Sequence, residues 1–252
     1  MSRKGIKIMG IVNVNDDSFF AQSRVRGRDA FARRAEQLIA EGADIIDAGA
    51  VSSRPGSTLV SEEEEWARLA PALEGWKSLA TDVPLSIDTF RSGIIRRACE
   101  TVGPLWINDI SAGEWDEAML PLAAEKGLPY IAMHHQGDFS SMHGEFSYGD
   151  VVEEVLAWFE RFARRADAAG ISDWICDPGF GFSKSIEDCL RLMEGLSRLQ
   201  SLGKPILCGI SNKRMTRGRD ADALLLQAVK GGATILRVHD VAHTAELLST
   251  IQ

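Results

Sequence analysis

Short apolar runs of this chain keep ending on groups that can do chemistry. "PLSID" closes on Asp88, "LWIND" on Asn108 and Asp109, and "DWICD" on Asp177, while "DIIDAG" carries Asp47. "IKIMGIVN" ends at Asn13, "YIAMHH" at His134 and His135, "SNK" brings Ser211 and Lys213, and "LRVHD" brings Arg237, His239 and Asp240. These groups sort by what they can bind. Asp88, Asn108, Asp177 and Lys213 combine acceptors, donors and one cation. They complement the edge of a flat heterocycle that presents an amide and an amino group, since a carboxylate accepts paired N–H donors while Asn and Lys serve carbonyl and ring nitrogens. Arg54, Arg237 and His239 form a cationic set suited to phosphate. Asn13 offers a neutral oxygen to a hard cation such as magnesium, which prefers oxygen ligands and usually arrives with phosphates. In "DPGFGFSK" (177–184), Pro178 and Gly179 turn the chain sharply and the glycines let backbone approach a ligand. Phe182 is placed to wall an apolar pocket beside Lys213, and Phe180 to pack under the loop.

The elements that must position these groups follow from the alternation of the chain. Eight short, often β-branched apolar runs recur at 6–12, 44–49, 84–88, 105–109, 130–134, 173–177, 205–210 and 234–238. They are apolar on both faces, as strands of a buried parallel sheet are. Amphipathic segments separate them. "DAFARRAEQLIAEGA" puts Phe31, Ala35, Leu38 and Ile39 on one face with Gly42 as a stop, and "SEEEEWARLAPALEGW" opens with Ser61 and Glu64 in capping-box spacing. Its four glutamates suit the positive end of a helix start. "YGDVVEEVLAWFERFARRADAAG" (148–170) is the longest helical pattern, followed by "SIEDCLRLMEGLSRLQSLG" and "RDADALLLQAVKGG". Eight strand–helix repeats in 252 residues predict a single-domain α/β fold, a (β/α)8 TIM barrel over residues 1–252, in preference to a doubly wound open sheet. The long irregular stretches 13–27, 50–60 and 135–147 all follow strands. They therefore belong to the carboxyl end of the barrel, where the polar strand ends would converge on one shared site rather than serve as separate helix caps.

Composition narrows the function further. Twenty-eight basic against 36 acidic residues give a net charge of −8, the wrong balance for a nucleic-acid binder, though a few local cations can dominate one cleft. No apolar run approaches membrane-spanning length, and the N-terminal one is interrupted by Asn13, so a soluble cytoplasmic protein is expected. Cys99, Cys176, Cys189 and Cys208 form no CxxC pair and are expected to be free thiols. The basic run Lys213, Arg214, Arg217 and Arg219 also reads as a solvated loop and helix start.

Eight ordered segments resemble the dihydropteroate synthases of the pterin-binding barrel superfamily: "IMGIVNVNDDSFF", "GADIIDAGAVSSRPGS", "PLSIDTFR", "INDISAG", "YIAMHHQG", "DPGFGFSK", "SNKRM" and "GGATILRVHD". The resemblance implies condensation of 6-hydroxymethyl-dihydropterin diphosphate with p-aminobenzoate, magnesium as cofactor, and a homodimer. It implies a pterin pocket of Asp88, Asn108, Asp177 and Lys213. It gives a diphosphate and magnesium site to Asn13, Arg54, Arg237 and His239, with Asn13 on the metal. Ser53, Arg54 and Pro55 of a second loop, with Phe182 and Lys213, frame aminobenzoate, and Asp17 and Ser18 match a first loop. Catalysis is thus assigned to Asp88, Asp177, Lys213, Arg237 and His239, with no activated nucleophile. The chain departs from the family pattern at Asn15-Asp16, Ala21, Val51 and Ser53, and at Asn212 and Arg214 beside the retained Lys213. The segment from Lys213 to Arg237 is also shorter than the family's. That shortening leaves as the alternative a pterin-binding protein or partner subunit that does not condense its ligand. A methyltetrahydrofolate-dependent methyltransferase on the same barrel has no use for Arg54, Arg237 and His239.

Overall fold

Strands β1 (Lys7–Asn13), β2 (Ile45–Gly49), β3 (Leu85–Asp88), β4 (Trp106–Asp109), β5 (Tyr130–Met133), β6 (Trp174–Asp177), β7 (Leu207–Cys208) and β8 (Ile235–Val238) form one parallel sheet. Its order is β6-β5-β4-β3-β2-β1-β8-β7. The two end strands meet through a bridge between Cys176 and Ile206, where the Cys176 N–H donates to the Pro205 carbonyl at 2.9 Å, so the sheet closes into the expected barrel. The computed structural model describes residues 5–14, 27–53, 56–144, 146–211 and 213–250. Between the strands lie α1 (Arg28–Glu41), α2 (Glu62–Lys77), α3 (Ser92–Val102), α4 (Met119–Lys126), α5 (Val151–Ala169), α6 (Ile186–Glu194) and α7 (Ala221–Lys230), and α8 (Val241–Ser249) ends the series.

Strand side chains alternate between barrel interior and helix layer. Met9, Ile45, Ile131, Ile175, Leu207 and Ile235 pack with Trp106 as an apolar plug inside the barrel. Their odd-step neighbours, among them Ile8, Ile46, Ile107, Ala132, Cys176 and Leu236, join the larger core against the helices. Two residues along the strands from the plug come Asp47, Asn108, Met133, Asp177, Gly209 and Arg237. The fold thus sets an apolar floor and then raises polar groups on it.

This alternation corrects one expectation. Not every polar strand end joins the shared site. Asp109 has the outward parity: it is fully buried and accepts from the Tyr130 hydroxyl at 2.5 Å, the Ser111 hydroxyl and the N–H groups of Ser111 and Gly113. His134 likewise turns outward, against Trp158 of α5. Asp240 caps α8, accepting from the His243 N–H at 3.0 Å.

Helix ends follow local chemistry. α1 stops at Gly42, whose φ of 106° is open to a residue without Cβ. At α2 the Ser61 side chain accepts from the Glu64 N–H, but Glu64 turns to Arg68 at 2.7 Å, so only half of the expected box forms. A full reciprocal box joins Ser185 and Asp188 at α6. The helix expected across 185–203 divides at Gly195 into α6 and a 3₁₀ segment, Leu196–Leu202. There α5 packs so close that a Cβ on Gly195 would lie 2.5 Å from Val152 Cγ2. The segment after Lys213 is a 3₁₀ turn, Arg214–Thr216, followed by the ten-residue α7 under an Asp220 cap. All four cysteines are free thiols, and no described helix is long and apolar enough to cross a membrane.

Candidate active site

A cavity opens at the carboxyl ends of the strands. Asp88, Asn108, Asp177, Lys213 and Arg237 supply its polar lining, and Ile110, Met133, Phe180 and Phe182 its apolar walls. Ser53 reaches it from the β2–α2 loop, and Gly179 and Gly209 offer backbone. A cluster of Phe90, Ile110, Met133, Met142 and Phe182, with Trp115 and Phe139 against it, continues the apolar walls along the rim.

Its floor is an ion network. Arg237 Nε donates to Asp47 Oδ2 at 2.7 Å, and its terminal nitrogen to Asp88 Oδ2 at 2.6 Å. The amide of Asn108 also donates to both Asp47 oxygens, at 3.3 and 3.2 Å. Asp47 is wholly buried, whereas Asp88 keeps 16% of its side-chain surface exposed. Burial pushes the Asp88 carboxyl up to about 7; Arg237 opposes the shift, and Asp47 and Glu65 add to it. Burial works against the charge of Arg237, but Asp47 and Asp88 outweigh it and hold the guanidinium firmly protonated.

The turn after β6 answers why an apolar run ends on an acid followed by proline and glycines. Asp177 Oδ1 accepts from the Gly179 N–H at 2.8 Å. Gly179 has a φ of +68°, and a Cβ there would stand 2.0 Å from the His134 carbonyl oxygen. Inside the turn lies Lys184, 1% exposed, donating to the carbonyls of Phe182 and Gly179 at 3.1 and 3.2 Å, with His134 Nδ1 at 2.8 Å. Burial pulls its ammonium down to about 7. A buried amine satisfying several carbonyls is a fastening for the loop that carries Asp177 and Phe182. Burial also raises the Asp177 carboxyl above its ordinary range, against the Gly179 bond and the charges of Lys213 and Arg237. Lys213 places Nζ 4.0 Å from the centre of the Phe182 ring.

The structure therefore brings together Ser53, Asp88, Asn108, Asp177, Phe182, Lys213 and Arg237. Asn13 stands half-buried at the end of β1, paired in register with Gly49, and His239 follows β8, its carbonyl accepting from Arg34 at 3.3 Å. Neither lines the cavity itself. Arg54 and Pro55, Asp17 and Ser18 of the first loop, the departures Asn15, Asp16 and Ala21, and Asn212 lie outside the described residues. Arg214 is exposed. No group of three His, Cys, Asp or Glu suited to a metal occurs among the described residues. A single amide oxygen from Asn13 fits an ion whose other ligands are phosphate and water.

The sequence signature of the pterin-binding enzyme family matches residues 9–239. The chain belongs to this family. Among curated relatives of these pterin-binding enzymes, the dihydropteroate synthase of Neisseria meningitidis serogroup C is 40% identical over 96% of this chain and 90% of its own length. The mitochondrial folate synthesis bifunctional protein of Arabidopsis thaliana is 36% identical over 95% of this chain, which spans 48% of that longer protein. The chain spans 34% of the folic acid synthesis protein of Pneumocystis carinii. Among solved structures, the Yersinia pestis dihydropteroate synthase in a sulfonamide complex superposes with a TM-score of 0.90 at 33% identity, covering 99% of this chain and 94% of that one. The Xanthomonas albilineans enzyme with 4-aminobenzoic acid gives 0.86 at 36%, covering 99% and 93%.

Within this pterin-binding enzyme, reasoning from sequence left Asp47 without a role and overlooked Ile110, Met133 and Lys184. Asp47 carried a usable signal: it stands two residues beyond the plug residue Ile45, the same step that separates Trp106 from Asn108, Ile175 from Asp177 and Ile235 from Arg237. Met133 carried the same signal, two residues beyond the plug residue Ile131. Ile110 and Lys184 lie past strand ends, where no periodicity marks them.

Proposed function

We propose that the chain is a dihydropteroate synthase, joining 6-hydroxymethyl-7,8-dihydropterin diphosphate to p-aminobenzoate with release of pyrophosphate. The observation that carries this reading is one cavity in which Asp88 and Asp177, from separate strands, share a lining with Asn108, Lys213 and Arg237 between Ile110 and Met133. Two carboxylates accept the ring N–H groups of a pterin, Asn108 and Lys213 serve its acceptors, and the apolar walls take its faces. The C–O bond between the pterin methylene and the diphosphate breaks, and its electron pair leaves with the diphosphate. Asp88 and Asp177 stabilise the cationic character left on the pterin. Arg54, Arg237 and His239 receive the diphosphate. When bound, magnesium neutralises charge on that leaving group, and Asn13 is the residue that would hold it. The arylamine nitrogen then forms the new C–N bond and loses a proton, its ring framed by Ser53, Arg54, Pro55, Phe182 and Lys213. A homodimer and a cytoplasmic location belong to the same proposal and rest on the family resemblance. The test supplies purified protein with both substrates and magnesium and follows pyrophosphate. Release that requires aminobenzoate is the expected result, and binding of the pterin diphosphate without condensation would favour a non-catalytic pterin-binding protein instead.

The pH dependence checks the part given to Lys213. Burial and the neighbouring Arg237 pull its ammonium down to about 8, with Asp177 opposing them. Only the ammonium serves pterin acceptors and an anionic substrate, so kcat/KM for the pterin diphosphate should fall as pH rises through about 8. In Lys213→Arg the charge persists, and the basic limb should vanish at a maximum lowered by about a hundredfold, since an arginine does not reproduce a lysine's point contact. The limb is not unfolding. The folded chain releases this proton near pH 8 and the unfolded chain keeps it to about 10.4, so between those values the unfolded state binds more protons and stability gained at this site rises with pH.

A further inference from the structure

His143 lies in the connection between β5 and α5, and neither the strand-end pattern nor the family resemblance gave it a role. Its Nε2 is 2.5 Å from the carbonyl oxygen of Ser53, in the loop after β2. A carbonyl only accepts, so Nε2 carries the proton. The same ring lies 5.1 Å from the Phe182 ring at 31°, in the loop after β6. The loops after β5 and β6 are already stitched together. The Ser183 N–H donates to the Met142 carbonyl at 2.7 Å, and the Gln136 N–H donates to the Ser183 hydroxyl at 2.6 Å. His143 extends that stitched pair to the loop carrying Ser53.

We propose that His143 is a positioning residue for the arylamine side of the cavity, fastening the β2–α2 loop to Phe182 so that Ser53 and the Phe182–Lys213 wall hold one spacing. The inference rests on the dihydropteroate synthase reading for the identity of the second substrate. Charge agrees with a neutral ring that donates through Nε2. Burial holds the imidazole below its ordinary range, Lys213 and Arg214 add to that effect, and the Ser53 and Gly181 backbone groups oppose it. The pterin-facing groups Asp88, Asn108 and Asp177 are not among its partners, so the effect is confined to one substrate.

His143→Ala should raise KM for p-aminobenzoate about tenfold, the size of one lost hydrogen bond with its ring contact, and leave KM for the pterin diphosphate within about twofold. His143→Gln keeps an N–H for the same carbonyl and should recover most of the loss, whereas His143→Phe keeps only the ring packing and should not. Amide hydrogen exchange at Ser52 and Ser53, which needs no turnover, should quicken in the Ala and Phe variants and stay near the parent rate in Gln. Equal rises in both KM values, failure of Gln to recover what Phe also fails to recover, or unaltered exchange in all variants would overturn the proposal. A parent protein that shows the exchange pattern but no aminobenzoate-dependent pyrophosphate release sinks the synthase reading, and the named substrate with it, while supporting the fastening between loops.

Discussion

Asp177→Asn is expected to weaken binding of the pterin substrate by more than about a thousandfold while leaving the fold as stable as the parent, within about 1 kcal/mol. The two halves of this result come from the two oxygens of one side chain. Oδ1 accepts from the Gly179 N–H, and an asparagine can keep that bond with its own oxygen, so the turn survives. The substitution then places an amino group where, in the proposed complex, a carboxylate oxygen would meet the ring's N–H donors. Two charge-assisted hydrogen bonds, each about 1.5–3 kcal/mol, are replaced by donors facing donors. Stability has no matching loss, because burial already raises the Asp177 carboxyl above its ordinary range: the folded state strains against this charge. A raised carboxyl binds its proton more tightly folded than unfolded, so its contribution to stability declines as pH climbs out of the ordinary carboxylate range, and the asparagine variant should lack that decline. Calorimetric titration with the pterin diphosphate and thermal melts at pH 5 and 8 measure both halves. A variant that unfolds, or whose folded fraction binds as tightly as the parent, would show Asp177 to be only the cap of its own turn.

The barrel was legible because a parallel sheet buried on both faces writes itself as short apolar runs, and each of the eight expected runs contains or overlaps one strand. Site residues on strands were legible where type and period agreed: Asp88, Asn108, Asp177 and Arg237 are polar and point inward. Type alone misleads at the neighbouring positions. Asp109 and His134 are as polar as Asn108 and stand as close to a strand end, yet their parity sends them to the helix layer, where Asp109 organises the start of the β4–α4 loop and His134 meets Lys184. Lys184 was illegible for a different reason. A lysine beside a helix cap reads as solvent-facing, and only the path of the Gly179–Phe182 turn creates a buried socket of carbonyls for it. His143 depends likewise on how three loops meet, which no local pattern encodes. Arg237 shows the limit of sorting by charge. Grouped with phosphate ligands by its type, it also spends donors on Asp47 and Asp88, which makes it part of the floor of the cavity.

That double duty predicts the second large effect. Arg237→Met should destabilise the protein by about 3–5 kcal/mol, the cost of removing one partner from a buried ion pair, and abolish turnover. Asp47 is wholly buried and, with the guanidinium gone, retains only the Asn108 amide among the bonds described for it, while Asp88 stands close by with the same charge. Asp88 can relax toward water through its exposed edge; Asp47 has none. The variant's weakness should therefore depend on pH. Without the cation that opposes it, the already raised Asp88 carboxyl holds its proton still more tightly folded than unfolded, so the loss is smallest near pH 4–5 and grows as pH rises toward 8. A loss equal at both pH values would mean that the arginine acts through packing, not charge. Adding Asp47→Asn should restore most of the stability, since an amide can stay buried where an unpaired carboxylate cannot, and a double-variant cycle at pH 8 should give a coupling of about 2 kcal/mol or more. Activity should not return with it. The repaired floor holds the cavity's shape, but the donors that Arg237 would offer the departing diphosphate in the proposed reaction are still missing, and separating a recovered fold from a persistent loss of kcat divides the two tasks of this one side chain.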